Sequence, residues 1–423
     1  MHALVADLFP ICRSITGDGF RQTLAILDKR VPLEVHEVPS GTRAFDWTVP
    51  PEWNLRDAYV ADLAGNRVID VRASNLHVMS YSVPTRRRVT RSELDEHLHW
   101  LPEHPEWIPY RTSYYRPDWG FCLSERQRAG LSDPEYDVVV DSTLEDGSLT
   151  YGELVVPGET QDEVLVTAHA CHPSMANDNL SGVALVAFLA EILATTRPRR
   201  SYRFLLIPGT IGSITWLSRN EAVVPRIVAG LVVACVGDGG PLTYKSSQRG
   251  DALVDRAAAH VMRRRGGSVR AFTPFGYDER QFNSPGFDLP VGCLSRTPHG
   301  EFPEYHTSAD DLELVRPESL AGSLAAALDI VRILDEDAAY VNRHPKGEPQ
   351  LGSRGLYPST GGRQAEEGVL AMLWVLNQSN GGRSLLDIAD RAALPFDAIQ
   401  TAATTLAEAG LLAVSSERGD DDG

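Results

Sequence analysis

The chain is poor in cysteine and has little uninterrupted apolar sequence. Its 423 residues hold five cysteines, Cys12, Cys122, Cys171, Cys235 and Cys293, scattered along the chain. No CxxC pair occurs, so neither a cysteine zinc site nor a disulfide framework is indicated. A reducing, cytoplasmic setting is therefore expected. No apolar run approaches the ~20 residues of a bilayer span, so no membrane partner is expected. The start, Met1-His2-Ala3-Leu4-Val5-Ala6-Asp7-Leu8, lacks the basic flank of a secretion signal. Positive charge is also short, with 40 Lys and Arg against 57 Asp and Glu and a net charge of −17. A field of that sign favours solubility and works against general nucleic-acid binding.

What the chain does have is organised around Val164 to Ala187. Val164-Leu165-Val166-Thr167-Ala168 is an apolar, largely β-branched run suited to a buried central strand. His169 stands at its end. Asn177, Asp178, Asn179 and Ser181 follow in a loop and are expected to cap an apolar helix running to about Ala194. Ligands of open α/β sheets bind at the carboxyl ends of strands. An imidazole and a carboxylate there can begin a zinc site; a solvated His beside a helix-capping Asp is the other reading.

The length allows two or three domains. Residues 1–44 read as two short helices and a strand at 33–39, the N-terminal part of the main domain. From 45 to 142 prolines and aromatics become frequent, and 58–71 reads as a hairpin. This stretch is expected to form a small β-rich insertion. Its aromatics, Trp100, Trp107, Tyr110, Tyr114, Tyr115 and Trp119, either fill a small core or line a substrate pocket. From 143 to 340 strands (149–156, 163–168, 202–208, 227–236) alternate with helices (180–195, 214–220, 251–265, 319–335). That alternation indicates an α/β doubly wound sheet. Residues 341–363 read as a Pro/Gly-rich linker. Residues 364–423 read as three helices and a short strand, a winged helix-turn-helix with an acidic tail at 418–423 expected to be disordered.

Three further stretches fall at expected strand or loop ends. They are Gly237-Asp238-Gly239-Gly240, Gly276-Tyr277-Asp278-Glu279-Arg280 and Pro303-Glu304-Tyr305-His306-Thr307-Ser308. The order His169, Asp178, Asp238, His306 supplies two imidazoles and two carboxylates. That is enough for one tetrahedral zinc, or for two zinc ions sharing a carboxylate.

These residues, with phrases such as Pro10-Ile11-Cys12-Arg13-Ser14-Ile15-Thr16-Gly17, Ser113-Tyr114-Tyr115, His169-Ala170-Cys171-His172-Pro173, Asp278-Glu279-Arg280-Gln281 and Tyr305-His306-Thr307-Ser308, resemble a bacterial aminopeptidase-like family. That family joins a domain of zinc leucyl-aminopeptidase type to a small inserted domain and a C-terminal winged helix. The resemblance spans nearly the whole chain. It implies a mixed doubly wound sheet, with zinc held by His169, Asp178, Asp238 and His306. It also implies hydrolysis of amide or peptide bonds in a small amino-acid or peptide-like substrate. Two departures concern the site. Cys171 stands where the aminopeptidases carry a carboxylate two residues after the first His. Gly209, in Pro208-Gly209-Thr210-Ile211, stands where the resemblance leads one to expect the glutamate that serves as general base. Glu279 is the leading substitute base, followed by Glu304 and His172, and one zinc is favoured over two. Asp278, Glu279, Glu301 and Glu304 suggest an acidic pocket suited to a free amine. The alternatives are a catalytically inactive metal- or ligand-binding relative, or a winged-helix regulator.

The expected third helix of the winged domain, 395–410, contains no Lys or Arg. Phosphate contacts need cations, so this module is expected to serve protein contact, including homo-oligomer formation, and not DNA. A low-salt mobility-shift assay with residues 364–423 in the full chain should show no sequence-specific complex. A shift that sharpens on one sequence contradicts this reading.

Overall fold

The structure is a computed structural model that describes residues 1–357 and 363–415, the side chains of 363–366 excepted. Residues 358–362 of the expected linker and the tail at 418–423 lie outside the described residues. The chain divides into two units, Met1–Leu328 and Asp329–Gly423.

The first unit is built on an eight-stranded mixed sheet. Its strands are β1 (Glu34–Pro39), β2 (Ser148–Val156), β3 (Glu163–His169), β4 (Ser201–Ile207), β5 (Ile227–Val233), β6 (Thr243–Lys245), β7 (Ser268–Arg270) and β8 (Val291–Ser295). They lie in the order β1-β2-β4-β3-β5-β8-β6-β7. β4, β3, β5 and β8 run parallel; β1 and β2 pair antiparallel with their neighbours, and β6 pairs antiparallel with β8 but parallel with β7. All seven residues of β3 are buried. That is why its sequence is continuously apolar and not alternating: a central parallel strand carries cover on both faces. The helix Gly182–Ala194 covers it with Val183, Leu185, Val186 and Leu189, all buried. Together with Ala176–Ser181 it is long and apolar enough to cross a membrane by composition, but most of it is buried inside the protein.

The expected strands and helices of 143–340 are present with small shifts at their ends. The short strands β6, β7 and β8 were not expected from the sequence. β8 follows a proline and is only five residues long; three-residue β6 and β7 are too short to show a period.

The expected insertion contains a four-stranded sheet ordered Arg67–Asp70, Glu52–Ala61, Glu135–Glu145, Thr85–Thr90. The hairpin pairs Tyr59 with Asp70 and Val60 with Ile69. The strand Glu135–Glu145 runs three residues past the expected boundary at 142, and the segment lies within the first unit.

In the second unit, Ala339–Asn342 is the central strand of a three-stranded sheet, between Asn380–Ser384 and Leu412–Val414. The beginning of the expected linker is therefore structural. The helices Arg363–Gln378, Leu385–Ala392 and Phe396–Glu408 complete a winged helix-turn-helix. Ser384 opens the second helix with a capping box closed by Asp387.

Arg21, on the helix Asp18–Asp28, joins three segments of the first unit. It donates to Glu37 Oε1 on β1 at 2.9 Å and to Glu52 Oε2 at 2.6 Å. The Arg21 bond, opposed by burial and aided by Ser148 N–H, lowers the Glu52 carboxyl to about 2. Its contribution is thus complete above its ordinary value of 4.5 and is lost as pH falls through about 2. Glu52→Gln should destabilise the protein near pH 7 and progressively less below pH ~4.5, by denaturation followed across that range. A penalty independent of pH contradicts this assignment.

Candidate metal centre

His169 ends β3, so the strand that forms the core also aims an imidazole at its carboxyl end. The chain crosses through His172 and makes one irregular helical turn, Ala176–Ser181, before the apolar helix. That turn buries Asp178 completely. His306 arrives from the loop after β8. Its backbone sits in the left-handed region at φ 58, which non-glycine residues seldom adopt outside constrained sites.

Three imidazoles close on the Asp178 carboxylate. His169 Nε2 lies 2.9 Å from Oδ1, His306 Nε2 3.0 Å from Oδ2, and His172 Nδ1 3.3 Å from Oδ2. The ligand atoms of His169, His172 and Asp178 all lie within 4.8 Å of one another. Burial would raise the Asp178 carboxyl, but His172 and the three imidazole contacts outweigh it and hold it well below the ordinary range. Burial lowers His169 against the pull of Asp178. For His172 the attraction of Asp178 overcomes burial and raises it.

A second layer fixes this cluster. Asp310 Oδ1 accepts from Asn177 N–H at 2.5 Å, and its Oδ2 accepts from Asp178 N–H at 2.8 Å. Ser181 does not cap the helix: its hydroxyl donates to Asn177 O at 2.7 Å and accepts from Val236 N–H at 3.0 Å. Asn179 ties the strand ends, donating to Val233 O and accepting from Cys235 N–H. Aromatic rings form the walls. Tyr277 stacks on His169 with centroids 4.7 Å apart and donates to Asp178 Oδ1 at 3.3 Å. Tyr305 stacks on His306 at 4.0 Å, and Tyr110 meets His172 and His306 edge-on at 5.3 and 5.2 Å. Of the aromatics in the insertion, Tyr110 reaches the cluster and bonds Tyr114. Trp107 and Trp119 instead stack on His104 and His97.

The structure thus brings His169, His172, Asp178 and His306 together, and it leaves other expected site residues elsewhere. Asp238 is committed to a turn. Its Oδ1 accepts from Thr297 Oγ1 and Gly240 N–H, both at 2.7 Å, and its Oδ2 from Asn177 Nδ2 and Thr297 N–H at 3.0 and 3.2 Å. Four donors leave its carboxylate no direction toward the cluster. Glu279 is buried in an ion pair with Lys245. Glu304 is half-buried, and its carbonyl accepts from Thr307. Glu301 pairs with Arg270, so two of the four carboxylates of the expected acidic pocket, Glu279 and Glu301, carry a counter-ion. Sequence reasoning placed Asp278 among the carboxylates of an acidic pocket but missed Tyr277 and Tyr305, each adjacent to a residue it had singled out.

Gly209 packs closely against the site. A Cβ there would lie 3.0 Å from His169 Cβ and 3.3 Å from Asp278 Oδ2, tighter than ordinary van der Waals contact. Asp278 Oδ1 accepts from Ser213 Oγ at 2.7 Å, while Oδ2 is buried without a partner. Burial, opposed by the Ser213 bond, raises this carboxyl to about 7. Cys171 Sγ faces Gly209 O at 3.9 Å, and burial pushes its thiol up to about 12.

Three buried or half-buried imidazoles and one carboxylate held ionised are donor types that zinc takes. The residues present fit the metal.

Residues 2–337 match the family described as a domain of unknown function (DUF4910), and residues 338–414 match a winged helix-turn-helix. A Clostridium acetobutylicum protein, provisionally named a polysaccharide biosynthesis protein with aminopeptidase-like domain, is 50% identical over 415 residues. The match covers 97% of this chain and 95% of that protein. A crystal structure of a provisional peptidase from Clostridium acetobutylicum aligns with TM-score 0.93 and 49% identity, over 98% of this chain and 95% of that one. The zinc aminopeptidase BSAP of Bacillus subtilis aligns with TM-score 0.56 and 16% identity, over 78% and 93%. A peptidase M28 precursor from Shewanella amazonensis SB2B gives 0.55 and 15%, over 79% and 92%. The last two share the fold.

The turn role of Asp238 separates stability from metal. Asp238→Ala should lower stability by about 1–3 kcal/mol, the cost of stranding buried donors, and leave zinc content unchanged. Thermal denaturation with elemental analysis checks both; loss of zinc at full stability would return Asp238 to the ligand set.

Proposed function

The chain belongs to the DUF4910 family and has an aminopeptidase-like fold. From that premise we propose that it is a zinc-dependent hydrolase of an amide bond in a small amino-acid or peptide-like substrate. The observation that carries the reading is the closure of His169, His172 and His306 on the buried Asp178. These four residues would hold one zinc. When bound, the metal supplies Lewis acidity and lowers the pKa of water at the site.

The chain's own residues do the rest. Asp178 carries the negative charge of the site, and Asp310 fixes its backbone. Tyr277 and Tyr305 hold the rings of His169 and His306 in place. Gly209 offers no proton acceptor. The carboxylate packed against Gly209 is Asp278, and we assign to Asp278 Oδ2 the task of taking the proton from the attacking water. Glu279 cannot take that role while paired with Lys245. Five free cysteines support a reducing cytoplasmic setting, and the winged domain, with no cation on its third helix, is assigned to protein contact.

Gly209 also favours a second reading, a ligand-binding relative that has lost turnover. The polysaccharide-biosynthesis name of the clostridial protein at 50% identity agrees with either. Zinc-loaded protein should hydrolyse amino-acid arylamides weakly. Gly209→Glu should raise that rate, and Asp278→Asn should lower it by roughly 10²–10⁴-fold, the usual worth of a positioned base. Both variants should keep their zinc. No turnover in any of the three, with tight binding of a small ligand, makes the binding-protein reading the better one.

A further inference from the structure

A cavity of about 350 Å³ lies beside the metal centre and shares Tyr277 as a wall. The Tyr277 ring stacks on His169 on one side and meets His299 on the other, with centroids 4.9 Å apart. A substrate with its scissile bond at the cluster would extend a side chain across Tyr277 into this space. Phe275, 71% exposed, stands at the mouth.

The wall chemistry is specific. Lys245 and Glu279 form an ion pair whose side chains are 15% and 1% exposed. Lys245 spends its other donors on the loop carrying Tyr277, giving one to Phe275 O at 3.0 Å and a longer one to Thr273 O at 3.4 Å. Glu279 is in the opposite condition. Neither of its carboxylate oxygens accepts a hydrogen bond of good geometry, although a carboxylate has about four acceptor sites. At the rim, Arg270 and Glu301 pair with each other through both nitrogens and both oxygens. The four charges therefore cancel in pairs, and the unspent capacity is that of an acceptor.

We propose that this cavity receives the side chain of the substrate and selects a neutral group that donates hydrogen bonds to Glu279, a carboxamide or a hydroxyl. A charged group would find every counter-ion already matched. An apolar group would shut the Glu279 oxygens away from any donor, which such sites reject strongly. The inference takes from the hydrolase reading only the identity of the occupant as substrate; binding at the cavity can be measured without turnover.

The test is calorimetric titration of the zinc-loaded full chain with L-glutamine, L-homoserine, L-leucine, L-lysine and L-glutamate. Glutamine or homoserine should bind at least about tenfold more tightly than leucine, lysine or glutamate, and the better of the two identifies the donor. The double variant Lys245→Met/Glu279→Leu replaces the pair with apolar groups of similar size, a change buried sites commonly tolerate. It should keep its zinc and reverse the ranking in favour of leucine. Should that variant not fold, the near-isosteric Glu279→Gln should bring the glutamine-to-leucine ratio toward one. Best binding of leucine, lysine or glutamate by the wild type overturns the proposal, as does binding of none of the five. An unchanged ranking in a zinc-containing variant does the same. Failure of the hydrolase reading is distinct: arylamides are not cleaved, yet the ranking stands.

Discussion

The structure depends on keeping one carboxylate ionised where no water reaches it. Asp178 is fully buried, and burial alone would drive it to its neutral form. Three imidazoles prevent this, and they come from separated parts of the chain: a strand end, a crossing loop and a loop more than a hundred residues later. β3 delivers His169 because it is central and wholly buried. Asp310 and Asn179 fix the intervening turn through backbone contacts that no other side-chain types of that size supply as directly. Positive-φ geometry at His306 and Cys235 shows the backbone yielding to the same requirement.

Around this centre, charges are placed in matched sets. Lys245 answers Glu279, and Arg270 answers Glu301. Asp278 differs: its second oxygen is buried beside Gly209 with no hydrogen-bond partner. Unpaired buried carboxylates are costly and cluster at functional sites. Gly209 and the orphaned oxygen of Asp278 are thus neighbours in one local arrangement.

Much of this was legible in the sequence because the central elements carry strong signals. The apolar run 164–168, the helix beyond it, the hairpin at 58–71 and the three helices of the winged domain each repeat a period over enough residues to declare themselves. The strands β6 and β7 do not, being three residues long, and Ala339–Asn342 was hidden in a stretch whose prolines and glycines pointed to a linker. At the site, His169, Asp178 and His306 could be found from their positions at strand and loop ends. Asp238 could not be told from a ligand, because a turn aspartate and a metal aspartate look alike among glycines; only Thr297, 59 residues away, reveals the difference. Glu279 was likewise ambiguous until Lys245 was seen beside it. Tyr277 and Tyr305 act through ring stacking, which leaves no spacing to read.

The central claim is that the three imidazoles and Asp178 form one zinc site. Anomalous diffraction from zinc-reconstituted crystals, recorded on either side of the zinc absorption edge, tests it most directly. The account predicts a peak among His169, His172, His306 and Asp178, and none beside Asp238. A peak elsewhere, or no peak in the cluster at saturating zinc, would contradict it.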